Sequence, residues 1–280
     1  MKCLLLLAGL LCFNVSAFAQ DTNFWIFLCF GQSNMEGFPG LLDEDKVGVD
    51  PRFQMMAAVD FPKMDRKEGK WYTAVPSLCR PNNGIGPSDY FGRTMVSNLP
   101  PNIRIGVIVV AVAGCKIEMF NQTNYQAYSA TAPSWMKGII KAYGGDPYQH
   151  LVDLAKSAQK DGVIKGILLH QGESNTGQKD WPDKVKGVYE NLIQDLNLPS
   201  DIPLVAGEVV NADVQGQCAA MNPIIDDLPK TIPNCSVASS KGCPCRSDHL
   251  HFTPAGYRIL GARYGEKMLT ALGYPVAETK

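Results

Sequence analysis

Five short apolar runs, spaced by segments of helical character, constrain this chain more than any other feature. Residues 24–30, 103–112, 163–169, 202–206 and 234–238 read as strands. Residues 88–98, 147–160, 182–196 and 253–272 read as helices, with Pro147 and Pro254 at first turns and Gly273 just past the last end. The run 103–112 is apolar on both faces, as a central parallel strand must be. Strand and helix alternating about five times predicts an α/β fold. This is a three-layer α/β/α sandwich around a roughly five-stranded parallel sheet. Residues 41–80 read as an irregular excursion and 121–145 as an insertion. No repeat or linker divides the chain, so residues 20–280 are expected to form a single domain.

The N-terminus reads differently. Lys2, an apolar run over residues 4–13 and the small-x-small triplet Ala17-Phe18-Ala19 form the pattern of a secretory signal peptide over residues 1–19. The run is shorter than the ~20 residues a membrane span needs. The mature chain is thus expected to be secreted or periplasmic, with no membrane span. A formal net charge of −1, with no long basic run, argues against a nucleic-acid partner. Of nine cysteines, two lie in the leader, leaving an odd seven that cannot all pair internally. Cys29 and Cys115 read as buried thiols. Cys218, Cys235, Cys243 and Cys245 crowd one loop-rich region where a disulfide is an open expectation. Cys243-Pro244-Cys245 lacks the usual spacing of zinc ligands.

Ligands of open α/β sheets bind beyond the carboxyl ends of the strands, and polar clusters gather there. Gly31-Gln32-Ser33-Asn34-Met35 follows the first strand, where a serine in a tight turn serves as a nucleophile or as an N-cap. Gly114 follows the second, where its amide is available to an oxyanion or it is an ordinary turn glycine. His170-Gln171-Gly172-Glu173-Ser174-Asn175 follows the third, and His170 there reads equally as a core histidine. Before the last helix stands Asp248-His249-Leu250-His251-Phe252. An aspartate three residues before a histidine can bond its ring and fix the tautomer. His249 and His251, two apart, also raise a metal site as an alternative.

These strings, in this order, resemble the blocks of the SGNH hydrolases, a flavodoxin-like α/β superfamily. They resemble most closely its sialate O-acetylesterase and acetyl xylan esterase branch. Gly84-Ile85-Gly86-Pro87 with Phe91-Gly92 resembles that branch's stretch before its first helix, and the likeness spans nearly all of the mature chain. The resemblance implies a serine esterase with Ser33 as nucleophile and His251 as general base. Asp248 or Glu173 would be the third member. The amides of Ser33 and Gly114 and the side chain of Gln171 would form the oxyanion hole, and Asn34, His170 and Asn175 would contact substrate. No metal or organic cofactor is called for. The expected partner is an acetylated carbohydrate, with acetylated xylan favoured over O-acetylated sialic acid. A carboxylate-bearing substrate would favour an arginine in the pocket, and Arg80, Arg93 and Arg246 are candidates. Trp71, Tyr72, Tyr125, Tyr128 and Trp135 suit sugar stacking and would equally serve a non-catalytic carbohydrate-binding module.

Overall fold

The computed structural model describes residues 20–274 and Val276; the expected leader at 1–19 lies outside them. In chain order the strands are β1 Asp21–Gly31, β2 Phe53–Met56, β3 Trp71–Thr73, β4 Arg104–Ala111, β5 Gly162–His170, β6 Leu204–Gly207 and β7 Cys235–Ala238. The α-helices are α1 Ser33–Glu36, α2 Pro87–Asn98, α3 Tyr125–Thr131, α4 Ser134–Ala142, α5 Pro147–Ala158, α6 Trp181–Leu196, α7 Asn222–Asp226, α8 Leu228–Thr231 and α9 Pro254–Ala271.

The strands form one seven-stranded sheet in the order β3-β2-β4-β1-β5-β6-β7, parallel except for the β2–β3 pair. All five expected strands are present as its parallel core. The irregular reading of residues 41–80 is corrected by β2 and β3. At four and three residues these strands are too short for a periodicity to show, and β2 is defined by its pairing with β4. The insertion at 121–145 folds as α3 and α4, with Met136 and Ile140 buried one helical turn apart on α4.

The long helices start where the sequence supplies stops and caps. Asp146 accepts the Gln149 amide at 3.0 Å ahead of α5, and Thr253 accepts the Gly256 amide at 3.2 Å ahead of α9. Helices α2 and α9 pack together over one face of the sheet, and α5 and α6 cover the other. Close approach of α2 to α9 depends on two glycines. A Cβ at Gly261 would lie 2.5 Å from the Pro87 carbonyl oxygen, and one at Gly265 2.8 Å from the Thr94 side chain.

The sheet register positions the functional loops. Gly31 pairs with both Ala111 of β4 and His170 of β5. Three central strands therefore end level, and the segments after them leave the sheet side by side. Because β4 and β5 flank β1 on opposite sides, this edge is also where the chain reverses its direction of winding, the place where such sheets bind ligands. The seven cysteines among the described residues are all unpaired. The four of the loop-rich region do not bridge: Cys235 belongs to β7, Cys243 is buried, and Cys218 and Cys245 donate to the carbonyls of Glu173 and Val214.

Candidate active site

At the end of β1 the chain turns sharply. A Cβ on Gly31 would overlap the His170 carbonyl, so only glycine lets β1 close against β5 there. The Gln32 amide then donates to the His170 carbonyl at 3.0 Å, and one turn of helix, α1, begins at Ser33. Gln32, not Ser33, occupies the cap position. The serine hydroxyl is thus free of capping, and it lies 3.0 Å from His251 Nε2.

His251 is held from several directions. Asp248 Oδ2 lies 2.8 Å from His251 Nδ1, while Asp248 Oδ1 accepts the backbone amides of Leu250 and His251, each at 3.0 Å. Burial alone would raise the Asp248 carboxyl. The His251 amide, the His251 ring and the Leu250 amide outweigh it and bring the carboxyl down to about 2. An ionised Asp248 accepts the Nδ1 proton and leaves Nε2 as the acceptor facing Ser33. The Phe38 ring, 4.6 Å away between centroids, covers the imidazole. His249 does not join this site. It turns through a left-handed conformation, φ 51°, and its Nδ1 lies 3.1 Å from the Val214 carbonyl. Among the described residues no group of three or more His, Cys, Asp or Glu is arranged to hold a metal ion.

Ser33 and His251 open onto a cleft of about 570 Å³. Gly114, Trp135, Glu36, Phe38, Asn83 and Leu250 are among its walls. Being first in its helix, the Ser33 amide has no intrahelical acceptor. The Gly114 amide comes from the turn after β4, at φ 66°. A Cβ there would meet Trp135 at 2.7 Å, so the glycine also makes room for that indole. Glu36, Phe38 and Asn83 are absent from the sequence reading. The one cue was a carboxylate, Glu36, directly after the Ser33 block.

Four residues expected to touch substrate or oxyanion lie elsewhere. Gln171 is buried, with its oxygen facing the Trp181 indole N–H at 2.6 Å. An indole nitrogen only donates, which fixes the orientation of the amide. Its nitrogen then faces Asn175 Oδ1 at 2.7 Å, Gln32 Oε1 at 3.0 Å and the Cys115 carbonyl at 3.2 Å. With both protons committed, Gln171 has none to give an oxyanion. Asn175 is buried between Ile117, Glu118, Gln171 and Gln178. His170 is wholly buried with Nδ1 3.0 Å from the Tyr264 hydroxyl, and burial pushes its ring down to about 3, leaving it neutral.

Asn34 is the fourth, and it acts as a hub. Its amide donates to Glu173 Oε1 at 2.5 Å and to the Leu250 carbonyl at 2.9 Å. Its oxygen accepts from the Tyr257 hydroxyl at 2.7 Å and the Phe252 amide at 3.3 Å. It ties the first, third and last polar clusters together beneath the cleft. Glu173 bonds Asn34, and of the two carboxylates it is Asp248 that bonds the ring of His251. Burial raises the Glu173 carboxyl, against the pull of the Asn34 bond.

Known proteins resemble this chain over most of its length. A probable carbohydrate esterase of Arabidopsis thaliana is 25% identical over 258 residues, covering 88% of this chain and 90% of the relative. Three solved structures share the fold. An Arabidopsis thaliana protein superposes with a TM-score of 0.67 at 22% identity, over 88% of this chain and 98% of that one. A carbohydrate acetylesterase from Xanthomonas citri gives 0.64 at 16%, over 91% and 58%. NanS gives 0.62 at 16%, over 88% and 97%. Residues 23–270 match the family described as carbohydrate esterase, sialic acid-specific acetylesterase, and the chain belongs to that family.

Proposed function

We propose that this chain is a serine O-acetylesterase that removes acetyl groups from a carbohydrate. The observation that carries the reading is the 3.0 Å approach of Ser33 Oγ to His251 Nε2, with Asp248 on the far side of the ring. A base must lie within hydrogen-bond reach of the proton it takes, and here it does. The same distance favours catalysis over a carbohydrate-binding module that has lost it.

In this reading Ser33 Oγ bonds to the acetyl carbonyl carbon as its proton passes to His251 Nε2. The carbonyl oxygen takes up negative charge facing the Ser33 and Gly114 amides. The bond to the sugar oxygen then breaks, and that oxygen takes the proton from Nε2. Water attacks the acetyl-serine, giving its proton to Nε2, and acetate leaves as Ser33 recovers a proton. Asp248 holds the ring in the required tautomer and faces its positive charge. Trp135, 55% exposed on the cleft wall, offers an indole face to a pyranose ring.

An acetylated polysaccharide such as xylan remains the proposed substrate. One observation favours an acidic sugar as the second reading. Arg80 is paired with Glu36 and Arg93 with Asp89, but Arg246 stacks on Phe38 at 4.2 Å, and among the described residues no ion pair engages it. Because Nε2 must protonate the departing oxygen, the sugar sits on the His251 side, where Phe38 and Arg246 stand. We also propose export, with the leader removed after Ala19 and residues 20–280 forming one domain. Among the described residues no helix is long and apolar enough to cross a membrane. N-terminal sequencing of exported protein should begin at Gln20.

Acetate release from acetylated xylan and from O-acetylated sialic acid tests the central reading. Ser33→Ala should lower turnover on the preferred substrate by about 10³-fold or more, with chelators harmless. Turnover that survives the substitution would refute it.

A further inference from the structure

The acetyl-transfer reading needs a backbone N–H aimed at the developing oxyanion, and backbone in a loop is free to turn. The segment after β4 is held on both sides of the donor in question. Ahead of it, Glu36 Oε1 accepts the Ala113 amide at 2.7 Å. Behind it, the Gly114 carbonyl accepts from Ser174 Oγ at 2.9 Å. The Gly114 N–H lies between these two fastened peptides. Glu36 is itself fixed, 5% exposed at the end of α1, with its Oε1 2.6 Å from the Arg80 guanidinium.

We infer that Glu36 is a positioning residue for the oxyanion site: it fastens the Ala113 amide so that the Gly114 N–H points into the cleft. This rests on the serine acyl-transfer reading. Arg80 completes the device. Glu36 lines the cleft, and its bare carboxylate would repel a second negative charge forming on the substrate. The guanidinium cancels that charge while leaving the acceptor in place. The helical turn that presents Ser33 and the loop that presents Gly114 are thereby tied by one side chain, so nucleophile and donor keep a constant separation.

The test is steady-state hydrolysis of an acetylated sugar by Glu36→Ala, Glu36→Gln, Arg80→Met and Ser33→Ala, with melting temperatures measured alongside. Glu36→Ala should lower kcat by about 10- to 100-fold with KM within about twofold, since the donor acts only once the oxyanion forms. Glu36→Gln keeps a carbonyl for the Ala113 amide and should stay within about fivefold of wild type. Arg80→Met leaves the buried carboxylate uncompensated and should lower kcat more than either Glu36 variant. If Glu36→Ala does not fold, Ser174→Ala removes the other fastening and should lower kcat about tenfold with KM kept. Kcat within threefold of wild type in Glu36→Ala, or in Ser174→Ala where that variant stands in, would overturn the inference. So would equal kcat losses in Glu36→Ala and Glu36→Gln that follow their melting temperatures. With Ser33→Ala inactive, those outcomes leave the acyl-transfer reading standing. An active Ser33→Ala overturns both.

Discussion

Two polar stretches, Asp248–His251 and His170–Asn175, flank the same cleft and are used in opposite ways. The second is the denser in sequence, yet His170, Gln171 and Asn175 are sealed within the protein: Gln171 and Asn175 bond each other, Trp181 and Glu118, and His170 bonds Tyr264. The first is sparse and partly exposed, with Asp248 39% open to solvent, and it supplies the only imidazole that reaches Ser33 among the described residues. Density of polar residues at a strand end therefore measures how much backbone must be tied down there. Chemistry goes to the side chain whose uncommitted atom faces the cleft; the partnerless Nε2 of His170 is buried.

The largest effect that would sharpen this contrast is expected at Asp248. Asp248→Asn should cut kcat by about 10²- to 10⁴-fold while the melting temperature moves little, because it spoils the tautomer and not the packing. Glu173→Gln, measured the same way, should cost far less turnover. The reverse order would make Glu173 the functional acid and break the comparison.

Next comes Gln171→Ala, which strands Trp181 Nε1 in the interior and leaves Asn175 Oδ1 with the Ile117 amide alone. It should lose about 2–4 kcal/mol in denaturant unfolding, with kcat of the folded enzyme largely kept. A fall of a hundredfold in kcat without loss of stability would return Gln171 to the oxyanion hole.

A third expectation concerns acid. His170 is held neutral to about pH 3, whereas an unfolded histidine protonates near 6.5. Between these values the unfolded chain binds the extra proton. Stability from this group is thus complete above pH 6.5 and declines as pH falls toward 3, by on the order of 5 kcal/mol in all. His170→Gln should flatten that stretch of the unfolding free-energy profile. The Asp248 carboxyl is also lowered, but its window sits further into acid. Its contribution is present above the usual carboxylate range and is lost only as pH falls toward about 2.

The smallest effect is expected at Trp135. Trp135→Ala should raise KM for an acetylated oligosaccharide about 5- to 20-fold and leave that for a small aryl acetate unchanged. Equal effects on both esters would make the indole a packing residue of the Gly114 turn.

Much of the scaffold was legible because central parallel strands are continuous apolar runs, and 24–30, 103–112 and 163–169 are visibly such runs. Strands β2 and β3 were not, since Phe53–Met56 and Trp71–Thr73 take their identity from partners far along the chain. Within the site, Ser33 and the Asp248–His251 pair could be read locally, because three residues of separation suffice for a carboxylate to reach its ring. The burial of Asn34, Gln171 and Asn175 could not. An amide looks the same in sequence whether it faces a cleft or a buried tryptophan ten residues on. Glu36 was overlooked for the same reason, its partners Arg80 and Ala113 being remote.

The placement of β1 at the centre of the sheet has a consequence for how the protein is made. The first strand to leave the ribosome needs β4, beginning at Arg104, on one side and β5, beginning at Gly162, on the other. Until β4 has emerged the run Phe24–Phe30 has no edge to join, until β5 has emerged its other edge stays open, and His251 arrives later still. Such long sequence separations make for slow folding with an aggregation-prone strand exposed in the meantime. No central sheet can close early, so a holdase that shields Phe24–Phe30 would guard the strand that β4 and β5 both join.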